Sequence, residues 1–260
     1  GMFAFCIYDK TENKLFLARD RAGEKPLFYF FDQENFIFSS ELKALMSFEG
    51  FNKQINLNMK PVYLDCNATT PIATEVFEEM KPFFLEEFGN EGSRTHEFGT
   101  RAKKAIQKAR EQVASVLNAK PEEVIFTSGA TESNNISLLG LRKEGIEKNR
   151  KHIITSMIEH KAILEPCDYL EREGFEVTRL NTTRDGVFNI DALKESLRPD
   201  TLLVSLMQVN NETGIRQPID KVTVILKEHP AYFHTDAAQG FGKDINTLRN
   251  TRIDLISISG

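Results

Sequence analysis

Between residues 61 and 260, short apolar runs alternate with stretches in which apolar side chains recur at helical spacing. One such helical stretch carries Val76, Met80, Phe83 and Phe84 on one face. The runs predicted as strands are residues 62–64, 124–127, 152–156, 176–178, 202–209, 232–234 and 255–258. Because strands joined through helices run parallel, the alternation predicts an α/β domain with a largely parallel sheet and helices on both faces.

The first 51 residues have a different pattern and hold half of the chain's 20 phenylalanines. Short strands are predicted at residues 2–8, 14–19, 26–31 and 36–39, followed by a short helix at 41–46. The turns between them are too short for a parallel crossover, so these strands must pair antiparallel. The chain is therefore divided into a small antiparallel β segment (1–51), a linker (52–60) and the α/β domain (61–260).

Composition excludes several classes of partner. The net charge is -5, and basic residues are interleaved with acidic ones, as at 144–151, which argues against direct binding of nucleic acid. The longest apolar runs fall far short of the ~20 residues that span a bilayer, and residues 1–8 read as a strand rather than a signal peptide. A cytoplasmic protein without a membrane span is predicted. Cys6, Cys66 and Cys167 are widely spaced, so neither a metal site nor a disulfide is expected, and each is interpreted as a small buried hydrophobe.

Polar groups collect just after the predicted strands, where ligands bind in open α/β sheets. Residues 128–132 follow one strand and open a helix, whose first N–H groups could bind a phosphate. His160 follows the strand at 152–156, Asn211 follows 202–209, and Asp236 and Gln239 follow 232–234. Taken singly, each feature also has a structural explanation, such as a helix cap or a turn.

Taken together, a phosphate-binding loop, an imidazole, amide donors and a carboxylate suit a phosphorylated aromatic heterocycle. Pyridoxal 5'-phosphate fits best, because its chemistry needs the ring nitrogen protonated beside an acid such as Asp236. Neither a Walker motif nor a G-x-G-x-x-G motif occurs in the sequence, which disfavours a nucleotide.

Residues 61–260 resemble cysteine desulfurases, which are class V members of the fold-type I pyridoxal-phosphate enzymes. The matching motifs include His234-Thr235-Asp236-Ala237-Ala238-Gln239 and the stretches at 63–71, 88–90, 126–135, 159–161 and 209–214. The resemblance implies that sulfur passes from L-cysteine to an enzyme thiol with release of alanine. It also implies a sulfur-acceptor protein, a homodimer in the full-length family, and a place in sulfur metabolism such as iron-sulfur cluster assembly, tRNA thiolation or DNA phosphorothioation.

The same resemblance assigns roles to individual residues. It implies phosphate contacts for Ala130, Thr131 and Ser259. It implies that His160 stacks on the cofactor ring and, as the catalytic residue, assists proton transfer. It also implies that Asn211 and Gln239 hydrogen-bond the oxygen side of the ring and that Asp236 holds the ring nitrogen. No metal is implied.

Two departures qualify this assignment. In the family, the lysine that bonds the cofactor follows the equivalent of Ser259-Gly260, and the persulfide cysteine comes later, so the 260 residues alone are expected to be inactive. The second departure is that the first segment resembles the end of the glutaminase domain of asparagine synthetases, in the stretches 1–5, 17–21, 25–27 and 40–45. The alternatives are therefore a non-catalytic cofactor-binding or scaffold fragment, and a remnant of a glutamine amidotransferase.

Overall fold

The computed structural model describes residues 4–19, 26–51, 53, 65–66, 68–249 and 252–259. The chain forms two compact units, Gly1–Pro71 and Ile72–Gly260. The strand predicted at 62–64, and the linker predicted at 52–60 apart from Lys53, lie outside the described residues.

The first unit contains two antiparallel hairpins, as predicted. Strand β1 (Ala4–Asp9) pairs with β2 (Lys14–Arg19), and β3 (Phe28–Phe31) pairs with β4 (Phe36–Ser39), followed by helix α1 (Leu42–Met46).

Among the described residues of the first unit, few side chains are buried. The ring of Phe30 lies 5.8 Å from that of Phe48 and 5.7 Å from that of Phe51, and Leu45 is buried. The expectation that every cysteine is buried is wrong for Cys6 and Cys66, which are exposed, and right for Cys167. Cys6 is exposed because β1 and β2 form a two-stranded sheet, which has too few strands to enclose a core.

The second unit alternates helices and strands. Its helices are α2 (Thr74–Leu85), α3 (Glu97–Leu117), α4 (Ala130–Leu139), α5 (Arg142–Glu147), α6 (Lys161–Arg172), α7 (Ile190–Ser196), α8 (Ile219–Ile225) and α9 (Ile245–Arg249), with a 3-10 turn at Pro121–Glu123. Its strands are β5 (His152–Ser156), β6 (Glu176–Leu180), β7 (Thr201–Ser205), β8 (Tyr232–Asp236) and β9 (Leu255–Ser257). Among the described residues, no helix is both long and apolar enough to cross a membrane.

The strands of the second unit form one parallel sheet in the order β6-β5-β7-β8-β9, which confirms the predicted α/β architecture. Successive side chains of a strand point to opposite faces. Accordingly, Ile153 and Leu203 pack into one apolar cluster while their neighbours Ile154 and Val204 pack into another. Both faces of the sheet are therefore covered, as the sequence pattern predicts.

Two predicted strands differ from the structure. Residues 124–127 form no strand, and Ile125 and Phe126 are 70% and 50% exposed. In the described ranges no strand pairs with this segment, so its backbone lacks ladder partners; the guanidinium of Arg110 instead donates to the carbonyl of Val124. The strand predicted at 202–209 ends at Ser205.

Helix α2 forms where the periodicity predicts it, but no residue of this helix is buried. Its predicted apolar face, including Met80 and Phe84, is therefore largely exposed in this unit.

Candidate functional site

The parallel sheet brings four of the predicted site residues to its carboxyl edge. His160 follows β5, Asn211 follows β7, Asp236 ends β8, and Ser259 follows β9. These strands are successive neighbours in the sheet, so the four residues lie along one edge in that order. Gln239 belongs to the turn after β8 and is half-buried.

Asp236 is buried and held by two donors. Its Oδ2 accepts a hydrogen bond of 2.7 Å from the side-chain amide of Asn134, and its Oδ1 accepts one of 3.0 Å from the backbone N–H of Ala238. A carboxylate fixed in this way can be aimed at a single partner, such as a protonated ring nitrogen.

Helix α4 begins at Ala130, directly after Gly129, and no side chain caps its first turn. The first N–H groups of a helix have no carbonyl partner within the helix, so those near Ala130 and Thr131 can bind an anion. A β-carbon placed on Gly129 would meet no atom within 4 Å, which shows open space beside this turn. The preceding loop is shaped by Ser128, whose N–H and Oγ both donate to Glu132 Oε2 and lower the pKa of that carboxyl group.

The sequence predicts that α4 is positioned by a strand at 124–127, but that strand is not formed, and contacts with the sheet position the helix instead. Ser133 Oγ donates to Ser257 Oγ at 2.9 Å, and Ser257 Oγ lies 3.0 Å from His234 Nε2. The other ring nitrogen of His234 lies 2.9 Å from Ser205 Oγ. This row of hydrogen bonds ties the first turn of α4 to strands β7, β8 and β9.

Burial lowers the pKa of His234 to about 3, so its ring is neutral at ordinary pH. This histidine lies in the motif at 234–239, but no role for it was predicted. Its position within a strand buried on both faces is the signal that could have identified a structural histidine.

Glu159 is a second buried acid at the same edge, and no role for it was predicted from the sequence. Its Oε1 accepts hydrogen bonds from Ser156 Oγ at 2.6 Å and from the backbone N–H of Met207 at 3.0 Å. Burial raises its pKa to about 8, and the charge of Asp236 acts in the same direction. Its Oε2 is buried and has no hydrogen-bond partner among the described residues.

His160 caps the start of α6 and its side chain is exposed. Its Nδ1 accepts a hydrogen bond of 3.1 Å from the backbone N–H of Ala162, so the neutral ring carries its proton on Nε2. An exposed ring with a fixed orientation can stack on a flat ligand and exchange a proton with it.

The loop that carries Asn211 is held in place by its neighbour Asn210, which is buried. The amide nitrogen of Asn210 donates to the carbonyl of Ile158 at 2.9 Å, and its oxygen accepts from the backbone N–H groups of Glu212 and Thr213 at 3.0 and 2.9 Å. The segment before His160 is thereby joined to the segment that carries Asn211.

A depression of about 550 Å³ lies apart from these groups, lined by residues of the segments 183–191 and 216–221. It includes none of the residues predicted to hold the cofactor. Their convergence on a single pocket stays a prediction, although they share one sheet edge.

Comparison with known proteins assigns the chain and its fold to a family. Residues 62–260 match the aminotransferase class-V family, and the chain belongs to it. Residues 1–98 match the glutamine amidotransferase domain.

Within that class the similarity is to cysteine desulfurases. The chain is 50% identical over 209 residues to cysteine desulfurase IscS of Ehrlichia chaffeensis, covering 80% of this chain and 50% of that protein. It is 46% identical over 202 residues to the human cysteine desulfurase, covering 78% of this chain and 44% of that protein. The crystal structure of DndA from Streptomyces lividans is 53% identical, with a TM-score of 0.68, covering 76% of this chain and 55% of that one.

These similarities confirm the family that the sequence motifs indicate, whose enzymes use pyridoxal 5'-phosphate. The chain spans about half the length of the curated relatives it matches.

Proposed function

We propose that the Ile72–Gly260 unit is the cofactor-binding part of a cysteine desulfurase that acts on L-cysteine. The observation that carries the proposal is the buried carboxylate of Asp236, held by Asn134 and Ala238 on the sheet edge that also carries His160. Pyridoxal 5'-phosphate, when bound, supplies an electron sink for reactions at the carbon that bears the amino group.

The described residues fit the phosphate end of this cofactor. The first N–H groups of α4, at Ala130 and Thr131, would bind the phosphate oxygens, because a helix N-terminus favours an anion. The open space beside Gly129 leaves room for a ligand there. Ser259, which is exposed after β9, would add a hydroxyl donor.

Groups at the ends of the neighbouring strands would bind the ring of the cofactor. Asp236 would accept a hydrogen bond from the ring nitrogen and keep it protonated, and Asn211 and Gln239 would donate to the oxygen on the ring. His160 would stack on the ring and carry a proton on Nε2, which suits a general acid-base group.

The domain boundaries belong to the same proposal: a glutamine amidotransferase-like β segment at 1–51, a linker at 52–60 and the desulfurase part at 61–260. A homodimer, a sulfur-acceptor protein and a cytoplasmic location are also proposed. The relative from Arabidopsis thaliana is described as mitochondrial, so the location needs its own measurement.

The proposed reaction is tested with a protein that contains this chain together with the second half of the family fold. When this protein holds pyridoxal 5'-phosphate and is given L-cysteine, we expect it to release alanine and to gain an equal amount of sulfur on an enzyme thiol. With L-serine we expect no alanine release. Replacement of His160 by Ala should lower turnover by about 100-fold or more, as expected for loss of a general acid-base group. Cofactor-dependent turnover of other amino acids but not of cysteine would contradict the proposal. That the 260 residues alone release no sulfide stays a prediction.

A further inference from the structure

Asn134 lies in the second turn of α4 and is 1% exposed. Its side-chain nitrogen donates to Asp236 Oδ2 at 2.7 Å, across 102 positions of sequence. Asn134 lies in the matching stretch at 126–135, but no role for it was predicted from the sequence.

The orientation of the Asn134 amide follows from its partner. Because the side-chain nitrogen is the donor to Asp236 Oδ2, the amide oxygen faces the other way. The amide oxygen is then left buried, and it has no hydrogen-bond partner among the described residues. A buried acceptor without a donor costs stability, so folding alone does not account for an asparagine at this position.

Helix α4 connects this hydrogen bond to the anion-binding end of the site. Asn134 lies four residues after Ala130, or about 6 Å along the helix axis at 1.5 Å per residue. The helix itself is anchored to the sheet through Ser133 and Ser257. One rigid helix therefore carries both the N–H groups proposed for the phosphate and the donor that orients Asp236.

We propose that Asn134 is a positioning residue, which fixes the Asp236 carboxylate at a set distance from the N-terminus of α4. The inference rests on the proposed function, because it needs a ligand that bears both a phosphate and a protonated ring nitrogen. Asn134 acts through Asp236 and does not itself touch the ligand.

The adjacent Asn135 provides a matched control. Its side-chain nitrogen donates to the carbonyl of Thr131 in the same helix, at 2.8 Å. Replacing Asn134 or Asn135 by Ala removes the same atoms from the same helix, but only the first change removes a donor to Asp236.

The experiment measures dissociation constants of the 260-residue chain for three probes: pyridoxal 5'-phosphate, its analogue with C–H in place of the ring nitrogen, and inorganic phosphate. We expect Asn134→Ala to weaken binding of pyridoxal 5'-phosphate by about tenfold or more, the size expected when a hydrogen bond to a charged group is lost. Asn134→Ala should change the dissociation constants of the analogue and of inorganic phosphate by less than about twofold. Asn135→Ala should change the dissociation constants of all three probes by less than about twofold.

A double-mutant cycle separates positioning from general stability. In an Asp236→Ala background, Asn134→Ala should have no further effect on pyridoxal 5'-phosphate binding, because the group it positions is gone. If Asn134→Ala fails to fold, as judged by circular dichroism, the nearly isosteric Asn134→Leu takes its place.

The outcomes distinguish the two proposals. A wild-type chain that fails to bind pyridoxal 5'-phosphate overturns the proposed function and this inference with it. Suppose instead that the wild-type chain binds pyridoxal 5'-phosphate and that Asp236→Ala weakens this binding. Equal affinities of Asn134→Ala and Asn135→Ala would then overturn this inference alone. Equal weakening of all three probes by Asn134→Ala also overturns it, because that result indicates general disruption of the site.

Discussion

The Oε1 atom of Glu159 accepts a hydrogen bond of 3.0 Å from the backbone N–H of Met207 and so joins the segments that follow β5 and β7. Because the pKa of Glu159 is raised by burial to about 8 from an ordinary 4.5, the folded protein holds a proton there that the unfolded chain releases. The free energy of unfolding should therefore fall as pH rises from 4.5 to 8, by on the order of 1.4 kcal/mol per pH unit.

Glu159→Gln should remove this dependence, since the amide cannot ionise but its oxygen can still accept from Ser156 and Met207. Urea unfolding at pH 5, 6, 7 and 8 checks this. The free energy of unfolding of the variant should rise relative to that of the wild type as pH rises. A constant difference across that range would contradict a buried, protonated Glu159.

His234 should produce the opposite dependence in acid. Burial lowers its pKa from 6.5 to about 3, so the unfolded chain binds a proton in this window that the folded chain does not. The free energy of unfolding should fall as pH drops from 6.5 towards 3. His234→Gln should show a smaller acid loss of stability than wild type in urea unfolding. Equal slopes for wild type and His234→Gln would rule out this contribution.

Asn210 should be important for stability, although it is not a predicted cofactor ligand. Replacement by Ala removes the partners of the Ile158 carbonyl and of the N–H groups of Glu212 and Thr213. We expect a loss of about 2–3 kcal/mol in the free energy of unfolding, measured by urea denaturation, and faster proteolysis of the 210–214 loop. Asn246→Ala, at an exposed position of α9, should change stability by less than about 0.5 kcal/mol. Similar values for both variants would show that Asn210 does not hold the loop.

The sequence predicts the sheet well, because alternating apolar runs and amphipathic helices constrain the strands to run parallel. It fails at 124–127, since an apolar run becomes a strand only when another strand lies beside it. Motifs predict Asp236 and His160 as site residues, and the structure places both at the carboxyl edge of the sheet. The sequence does not identify Asn134 and Glu159 as important, because their environments depend on contacts with Asp236 and Met207, which are distant in sequence.

The first unit should be dispensable for folding of the second. Both large apolar clusters consist of residues from the Ile72–Gly260 unit, so removal of residues 1–58 leaves these clusters complete. We expect residues 59–260 to keep the helical circular dichroism signal and a cooperative thermal transition. An insoluble or unfolded product would show that the two segments form one folding unit.

The central claim is that Asp236 belongs to a site for pyridoxal 5'-phosphate, and an equilibrium titration of the 260-residue chain with this cofactor tests it most directly. The matched control is Asp185→Ala, because Asp185 is exposed in the loop after β6. The account predicts saturable binding by the wild type, equal binding by Asp185→Ala, and affinity at least about tenfold weaker for Asp236→Ala, as expected when a charged hydrogen bond is lost. Absence of saturable binding by the wild type, or equal affinities for the two aspartate variants, would contradict it.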